Sequence, residues 1–359
     1  MHAEKYITIS SEQAWPQIIA LRKFQPKEAY LLHTNDELRS HSPCLRLRDF
    51  IENNQPATKV TIISIGEGRI PEDVANIIDS NTTVNVTGGT KLMAINLLRE
   101  SITRQAKVIY CDHNSIHSLD SGQNQRGFTQ EPLDKSMLID DIDPLELVKS
   151  QYSGNFSNSG ILLELSSYGK TLTKKKLASL DSSNLMKAFK ARDPLPDVSN
   201  DKGKRAEFLN AGMFLLMGVQ KYRIGICVSA TDKNIIQEID GLFTYNAHLY
   251  LIETKQRKKK ANPIAIIRRH LDRLNLSYQQ REPIKKALGQ LKGMETSKKG
   301  SAYFEDRYFG NALGGTNANV IWVTQSATDQ DHAFAESTGI RLITQQQLIS
   351  ENFDLTSLR

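Results

Sequence analysis

At 359 residues, with 39% apolar and 24% charged residues, the chain has the composition of a water-soluble globular protein long enough for more than one domain. No apolar run reaches the length of a membrane span, and residues 1–10 lack a secretory leader's charged head and apolar core, so no membrane association and a cytoplasmic location are expected. The net charge of +6 is unevenly spread. Residues 1–120 carry 13 Lys and Arg against 14 Asp and Glu, whereas residues 200–310 carry 21 against 11, the basic balance that binding a phosphate backbone requires. Cys44, Cys111 and Cys227 form no CxxC pair, which argues against a zinc site or a disulfide framework.

Short β-like runs alternate with helical patterns through the first 120 residues. The runs 6–10, 29–34, 59–66, 83–87 and 107–113 are each apolar and short, and amphipathic stretches separate them. Repeated β-α units of this size predict a doubly wound parallel sheet, which binds ligands beyond the carboxyl ends of its strands. After the fourth run comes Thr87-Gly88-Gly89-Thr90-Lys91. Glycines admit a ligand close to the backbone, the following helix offers free N–H groups to an anion, and the hydroxyls and Lys91 add donors. The loop matches neither GxxxxGK[ST] nor GxGxxG, and a plain tight turn is the competing reading.

Residues 121–135 are polar and rich in breakers. Asp140-Asp141-Ile142-Asp143 lacks calcium-loop spacing and reads as the start of a helix through 144–152. Residues 160–180 predict a strand and then a basic helix, a connector or a piece packed on the second half.

The second half opens with a helical pattern carrying Glu207 in its first turns. Two β-like runs follow, 238–245 with Asp240 and 248–255 ending in Glu253-Thr254-Lys255. Glu253 and Lys255 are two residues apart, so on a strand they share a face, and a hairpin sets Asp240 beside Glu253. Two carboxylates and an ammonium in one small volume suit a divalent cation and an activated water. Asp240, Glu253 and the Thr254 backbone carbonyl are the expected ligands for Mg²⁺ or Mn²⁺, with Glu207 holding a second cation or positioning the first. Lys255 orients the water or stabilises the transition state. A later helical pattern carries Gln290, read either as a brace for the site or as a plain surface glutamine, and the basic run 255–260 with Arg268, Arg269 and Arg273 offers substrate contact, with a solubilising loop as the competing reading. A solvated, decorated hairpin is the competing reading. Gly310 to Thr316 is a further glycine-rich loop, and no histidine pair has the HxH or HExxH spacing.

Two resemblances organise these features. Residues 86–94, VTGGTKLMA, resemble the signature of CARF domains, the Rossmann-like sensors of CRISPR-associated proteins. The first- and second-strand loops, with Ser11, Gln13, Thr34 and Asn35, are similar to that family's ligand-facing loops. The order of a helix with Glu207, strands with Asp240 and Glu253-x-Lys255, and a helix with Gln290 resembles the PD-(D/E)XK nuclease superfamily, although Ile239 stands where that family has proline. Together they resemble the ancillary nucleases of type III CRISPR systems. The resemblance implies an α/β chain with a Rossmann-like CARF domain over residues 1–125, a connector over 126–198 and a restriction-endonuclease-like domain over 199–359. It implies a homodimer that binds a cyclic oligoadenylate, expected to be cyclic tetra-adenylate, whose two-fold symmetry fits two copies of Thr87–Lys91. The ligand is then an allosteric activator of metal-dependent cleavage of DNA and/or RNA in antiviral defence. A constitutive restriction or repair nuclease and a non-catalytic nucleotide-responsive regulator are the alternatives.

Overall fold

The computed structural model describes residues 3–66, 69–112, 115–120, 127–134, 136–152, 154–231, 234–255, 313 and 318–358. Two compact units partition the chain: residues 1–142 with 146–153, and residues 143–145 with 154–359. Residues 126–198, expected as a connector, are divided between them.

The first unit holds a seven-stranded sheet in the order β3-β2-β1-β4-β5-β6-β7. Strands β1 (Lys5–Ile9), β2 (Glu28–His33), β3 (Lys59–Ser64), β4 (Thr82–Asn85) and β5 (Lys107–Cys111) are parallel. Helices α1 (Trp15–Phe24), α2 (Ser42–Asn54), α3 (Glu72–Ile77) and α4 (Lys91–Thr103) link them, so the predicted β-α alternation is the observed one. The antiparallel strands β6 (Ser115–Asp120) and β7 (Thr129–Pro132) extend the sheet past β5, which the alternation did not foretell. Ile7, Ile9, Leu32, Val84 and Val108 form part of the core, as near-continuous apolar strands do when helices cover a parallel sheet. The acidic run is structural: Asp141 pairs with Arg22, and Asp143 Oδ1 accepts the Leu145 N–H at 3.0 Å.

The second unit holds an eight-stranded sheet. Its strands are β8 (Asn155–Asn158), β9 (Ile161–Leu165), β10 (Phe189–Lys190), β11 (Tyr222–Thr231), β12 (Asn234–Tyr245), β13 (His248–Lys255), β14 (Ala318–Thr324) and β15 (Arg341–Thr344). The order is β10-β9-β11-β12-β13-β14-β15, with β8 on β11. β9, β11, β12 and β13 pair antiparallel, then β13, β14 and β15 run parallel. The β12–β13 hairpin turns through Asn246 and Ala247 at φ 49° and 56°, the mirror-image turn that matches strand twist. One long helix, Lys202–Leu216, packs on the face carrying Tyr222, Phe243, Tyr250 and Ile252. Phe243 lies 4.9 Å from both Phe214 and Tyr250, centroid to centroid, so an aromatic stack ties helix to hairpin.

Candidate functional site

In the first sheet β1 lies between β2 and β4, and the chain leaves these strands in opposite directions. Doubly wound sheets bind ligands in the crevice beyond the carboxyl ends of the strands at such a reversal. The loops after β1 and β4 both end there. Gly88 and Gly89 are pressed on β1: a Cβ at Gly88 would lie 2.0 Å from the Ile9 carbonyl oxygen, and one at Gly89 would lie 2.5 Å from Ile9 Cγ2. Gly89 also has φ +79°, which side chains rarely adopt. The glycines serve close packing of two loops as much as ligand approach.

Buried polar groups set the loop geometry. Asn85 is fully buried; it donates to the Tyr6 hydroxyl at 2.8 Å and accepts the Thr87 N–H at 3.0 Å. The Thr87 hydroxyl donates to Asn85 and accepts the Cys111 N–H at 2.7 Å, bracing the loop against β5. Thr90 caps α4 by accepting the Met93 N–H at 3.3 Å, and Gly89, Thr90 and Lys91 are exposed. The N-terminus of a 13-residue helix thus faces the crevice with Lys91 at its first position. Gln17, also buried, organises the first loop: with its amide oxygen and nitrogen assigned to satisfy their neighbours, it donates to the Gln13 carbonyl at 2.6 Å and the Ala14 carbonyl at 3.1 Å, and accepts from Ser11 Oγ at 3.2 Å. Ser11, Gln13 and Thr87–Lys91 therefore meet at one crevice. Thr34 and Asn35 lie one strand over, where Thr34 N–H donates to Ser40 Oγ at 2.8 Å and Asn35 Oδ1 accepts from Ser64 Oγ at 3.1 Å.

In the second unit the expected hairpin forms. Its ladder runs from Tyr245↔His248 to Gly241↔Ile252, so Asp240 and Glu253 come just past the last pair. There the Asp240 carboxylate takes over as acceptor, receiving the Thr254 N–H at 2.6 Å. Opposite Asp240 on β11 is Gly225, at φ +70°, within a continuous register that runs from Ile224↔Gly241 to Ile226↔Ile239. Lys255 Nζ forms an ion pair with Glu253 Oε1 and lies 5.0 Å from the centroid of the Trp322 ring. Sharing a face, as Glu-x-Lys on a strand must, places this pair on the side away from the helix.

From the other face comes Glu207. Burial first, then the charges of Asp240 and Glu238, push its carboxyl up to about 8. Tyr222, buried beneath, has its hydroxyl 1.9 Å from where a Cβ of residue 241 would stand, so Gly241 makes room for it. Burial and the nearby Asp240 and Glu207 carboxylates raise the Tyr222 phenol. Asp240, Thr254, Glu253 and Lys255 are thus gathered at one hairpin end, with Glu207 electrostatically coupled to Asp240. Among the described residues no three His, Cys, Asp or Glu side chains close into a metal-binding cluster. Gln290, Arg268, Arg269, Arg273, the basic run 256–260 and most of Gly310 to Thr316 lie outside the described residues. Sequence reasoning missed Gln17, Asn85, Tyr222 and Gly225; of these only Gly225, a glycine inside a strand, left a readable signal.

Comparison with known proteins fits this geometry. The Card1 CARF domain family matches residues 6–131. No curated protein sequence matches the chain. In fold the chain is similar to Can2 from Sulfobacillus thermosulfidooxidans, solved in complex with cyclic tetra-adenylate, with TM-score 0.59 and 16% identity over 96% of this chain and 97% of that one. It is also similar to protein VC1899 from Vibrio cholerae, with TM-score 0.57 and 13% identity over 96% and 95% of the two chains. A type III CRISPR defence DNA nuclease activated by cyclic oligoadenylate matches with TM-score 0.55 and 15% identity, over 98% of this chain but 52% of that one, so this chain spans about half its length. Among the described residues no helix is long and apolar enough to cross a membrane. Residues 6–131 match the Card1 CARF domain family, and the chain as a whole is similar in fold to Can2, to VC1899 and to about half of the type III CRISPR defence DNA nuclease.

Proposed function

We propose that the protein is a divalent-metal-dependent nuclease whose activity is switched on by a cyclic oligoadenylate bound in the first unit. The observation that carries this reading is the hairpin end: Asp240 clasping the Thr254 N–H, beside the Glu253–Lys255 ion pair. Its residues fit a hard cation. Glu207 is held protonated by burial and by the Asp240 and Glu238 carboxylates, a repulsion that a cation relieves. Asp240, Glu253 and the Thr254 carbonyl would hold Mg²⁺ or Mn²⁺, with Glu207 assisting. When bound, the metal acidifies a water and offsets charge on the phosphate. Lys255, leaning on Trp322, supplies a fixed positive charge to the scissile phosphate.

The activator binds at the β1–β4 crevice. Lys91, the free N–H groups of the α4 N-terminus, and the Ser11 and Gln13 loop face its phosphates and bases, while Thr34 and Asn35 border it. Cyclic tetra-adenylate is the preferred ring, since Can2 shares the fold and was solved with that ligand. The working state is a homodimer. On α4, Leu92, Ile95 and Ile102 are exposed at 53%, 59% and 45%, an apolar stripe directly behind the ligand loop that a second copy covers.

The test is to incubate purified protein with Mn²⁺ and a panel of cyclic oligoadenylates, supplying labelled DNA and RNA. Cleavage that needs both metal and ring is expected. Cleavage indifferent to the ring makes the protein a constitutive nuclease, and ring-dependent nucleic-acid binding without cleavage makes it a regulator; either overturns the proposal.

A further inference from the structure

The helix Lys202–Leu216 carries Glu207, Asn210 and Phe214 at i, i+3 and i+7, a single stripe laid across β11, β12 and β13. Phe214 ends that stripe in the aromatic stack. Asn210, between it and Glu207, is 1% exposed, and its neighbours 208, 209, 211 and 213–215 are all apolar. An amide in such a place costs free energy that a leucine of similar volume avoids. Its amide makes a specific hydrogen bond: Nδ2 donates to Thr254 Oγ1 at 3.0 Å. Its Oδ1 is buried and has no hydrogen-bond partner among the described residues.

Thr254 is the residue between Glu253 and Lys255. Its side chain points toward the helix, because strand side chains alternate and Tyr250 and Ile252 face that way. Its N–H is the one held by Asp240. A continuous chain of contacts therefore runs from Asn210 through Thr254 to Asp240, entering the site from the face opposite Glu253 and Lys255.

We infer that Asn210 is a positioning residue for the cation site: by gripping the Thr254 hydroxyl it fixes the peptide groups that present the Thr254 N–H to Asp240 and the Thr254 carbonyl to the metal. This rests on the nuclease reading above and adds to it a residue without charge and without contact to the substrate.

The test uses the full-length protein and Mn²⁺ as probe. Asn210→Leu and Thr254→Val each delete one side of the contact while keeping volume. Mn²⁺ affinity is measured by titration calorimetry, and the Mn²⁺ concentration for half-maximal activator-stimulated cleavage is measured in parallel. Both variants are expected to lose about tenfold in each, as outer-shell partners of metal ligands do. The double variant should lose no more than either alone, since one contact is removed. Thr254→Ser, which keeps the hydroxyl, should recover what Thr254→Val loses. A far-UV circular dichroism spectrum and a cooperative thermal melt matching the parent certify the fold, and cyclic tetra-adenylate affinity, a property of the first unit, should be unchanged in all; should Asn210→Leu fail to fold, Thr254→Val carries the test alone. Wild-type Mn²⁺ affinity in the folded variants overturns the inference and leaves the nuclease reading standing. A parent protein that neither binds Mn²⁺ nor cleaves sinks the nuclease reading, and this inference with it.

Discussion

The loop Thr87–Lys91 and the hairpin end Asp240–Lys255 spend their polar groups in opposite ways. In the loop, buried Asn85 and half-buried Thr87 satisfy one another, Tyr6 and the Cys111 N–H, and Gly89, Thr90, Lys91 and the α4 N-terminus face outward. At the hairpin end, like charges are brought toward one another, and Glu207 keeps its proton to the edge of the alkaline range. On the proposed reading one site is a preorganised receptor at rest, and the other, strained in charge, would settle when a cation arrives; carboxyl groups displaced in this way gather where chemistry is done.

Substitutions at the two sites break this division of labour or sharpen it. The largest expected effect is on cleavage: Lys255→Ala or Glu253→Gln should lower activator-stimulated turnover by about 10²–10³-fold, as loss of a transition-state electrostatic group does. Equilibrium binding of cyclic tetra-adenylate should be unchanged, and a loss there would merge the two sites into one. Next, Lys91→Ala should weaken the activator by roughly 10–100-fold, the worth of a charged hydrogen bond, with Mn²⁺ affinity intact. A smaller effect is on stability. Gly88→Ala meets the Ile9 carbonyl oxygen and should destabilise the first unit by about 1–3 kcal/mol, read from thermal melts, with basal cation binding unaltered.

The smallest effect is a change of slope. The Glu207 carboxyl, raised from its ordinary 4.5 to about 8, stays protonated in the folded protein where the unfolded chain has released its proton. Stability of cation-free protein should therefore fall as pH rises from 4.5 through 8. Glu207→Gln should flatten melting temperature against pH across that window, and Mn²⁺ should do the same to the parent protein by displacing the proton. A parent profile that is already flat would remove the charge frustration from the comparison.

Much of this molecule is legible in its sequence, and for physical reasons. Apolar runs separated by amphipathic helices have one economical solution, a parallel sheet covered on both faces, and β1–β5 adopt it. Glu253-x-Lys255 is legible because a period of two fixes both side chains to one face. The hairpin is legible because Asn246-Ala247 is short enough to allow only a tight reversal. The β6–β7 extension was not, since polar edge strands lack alternation. Asn210 was hidden inside an apolar helix, where one amide leaves the pattern intact. Gln17 and Asn85 were hidden for a related reason: an amide that organises a loop from below is indistinguishable in sequence from one that faces water. The assignment of residues 126–198 to one connector assumed that a polar stretch separates domains, whereas β8, β9 and β10 pair within the second sheet.

The contact between Gly88 and Ile9 carries one more implication. With no space for even a methyl group between them, the end of β1 and the loop after β4 cannot slide past each other. Both strands run through the middle of the sheet, so a displacement of either one is expected to carry its neighbour with it.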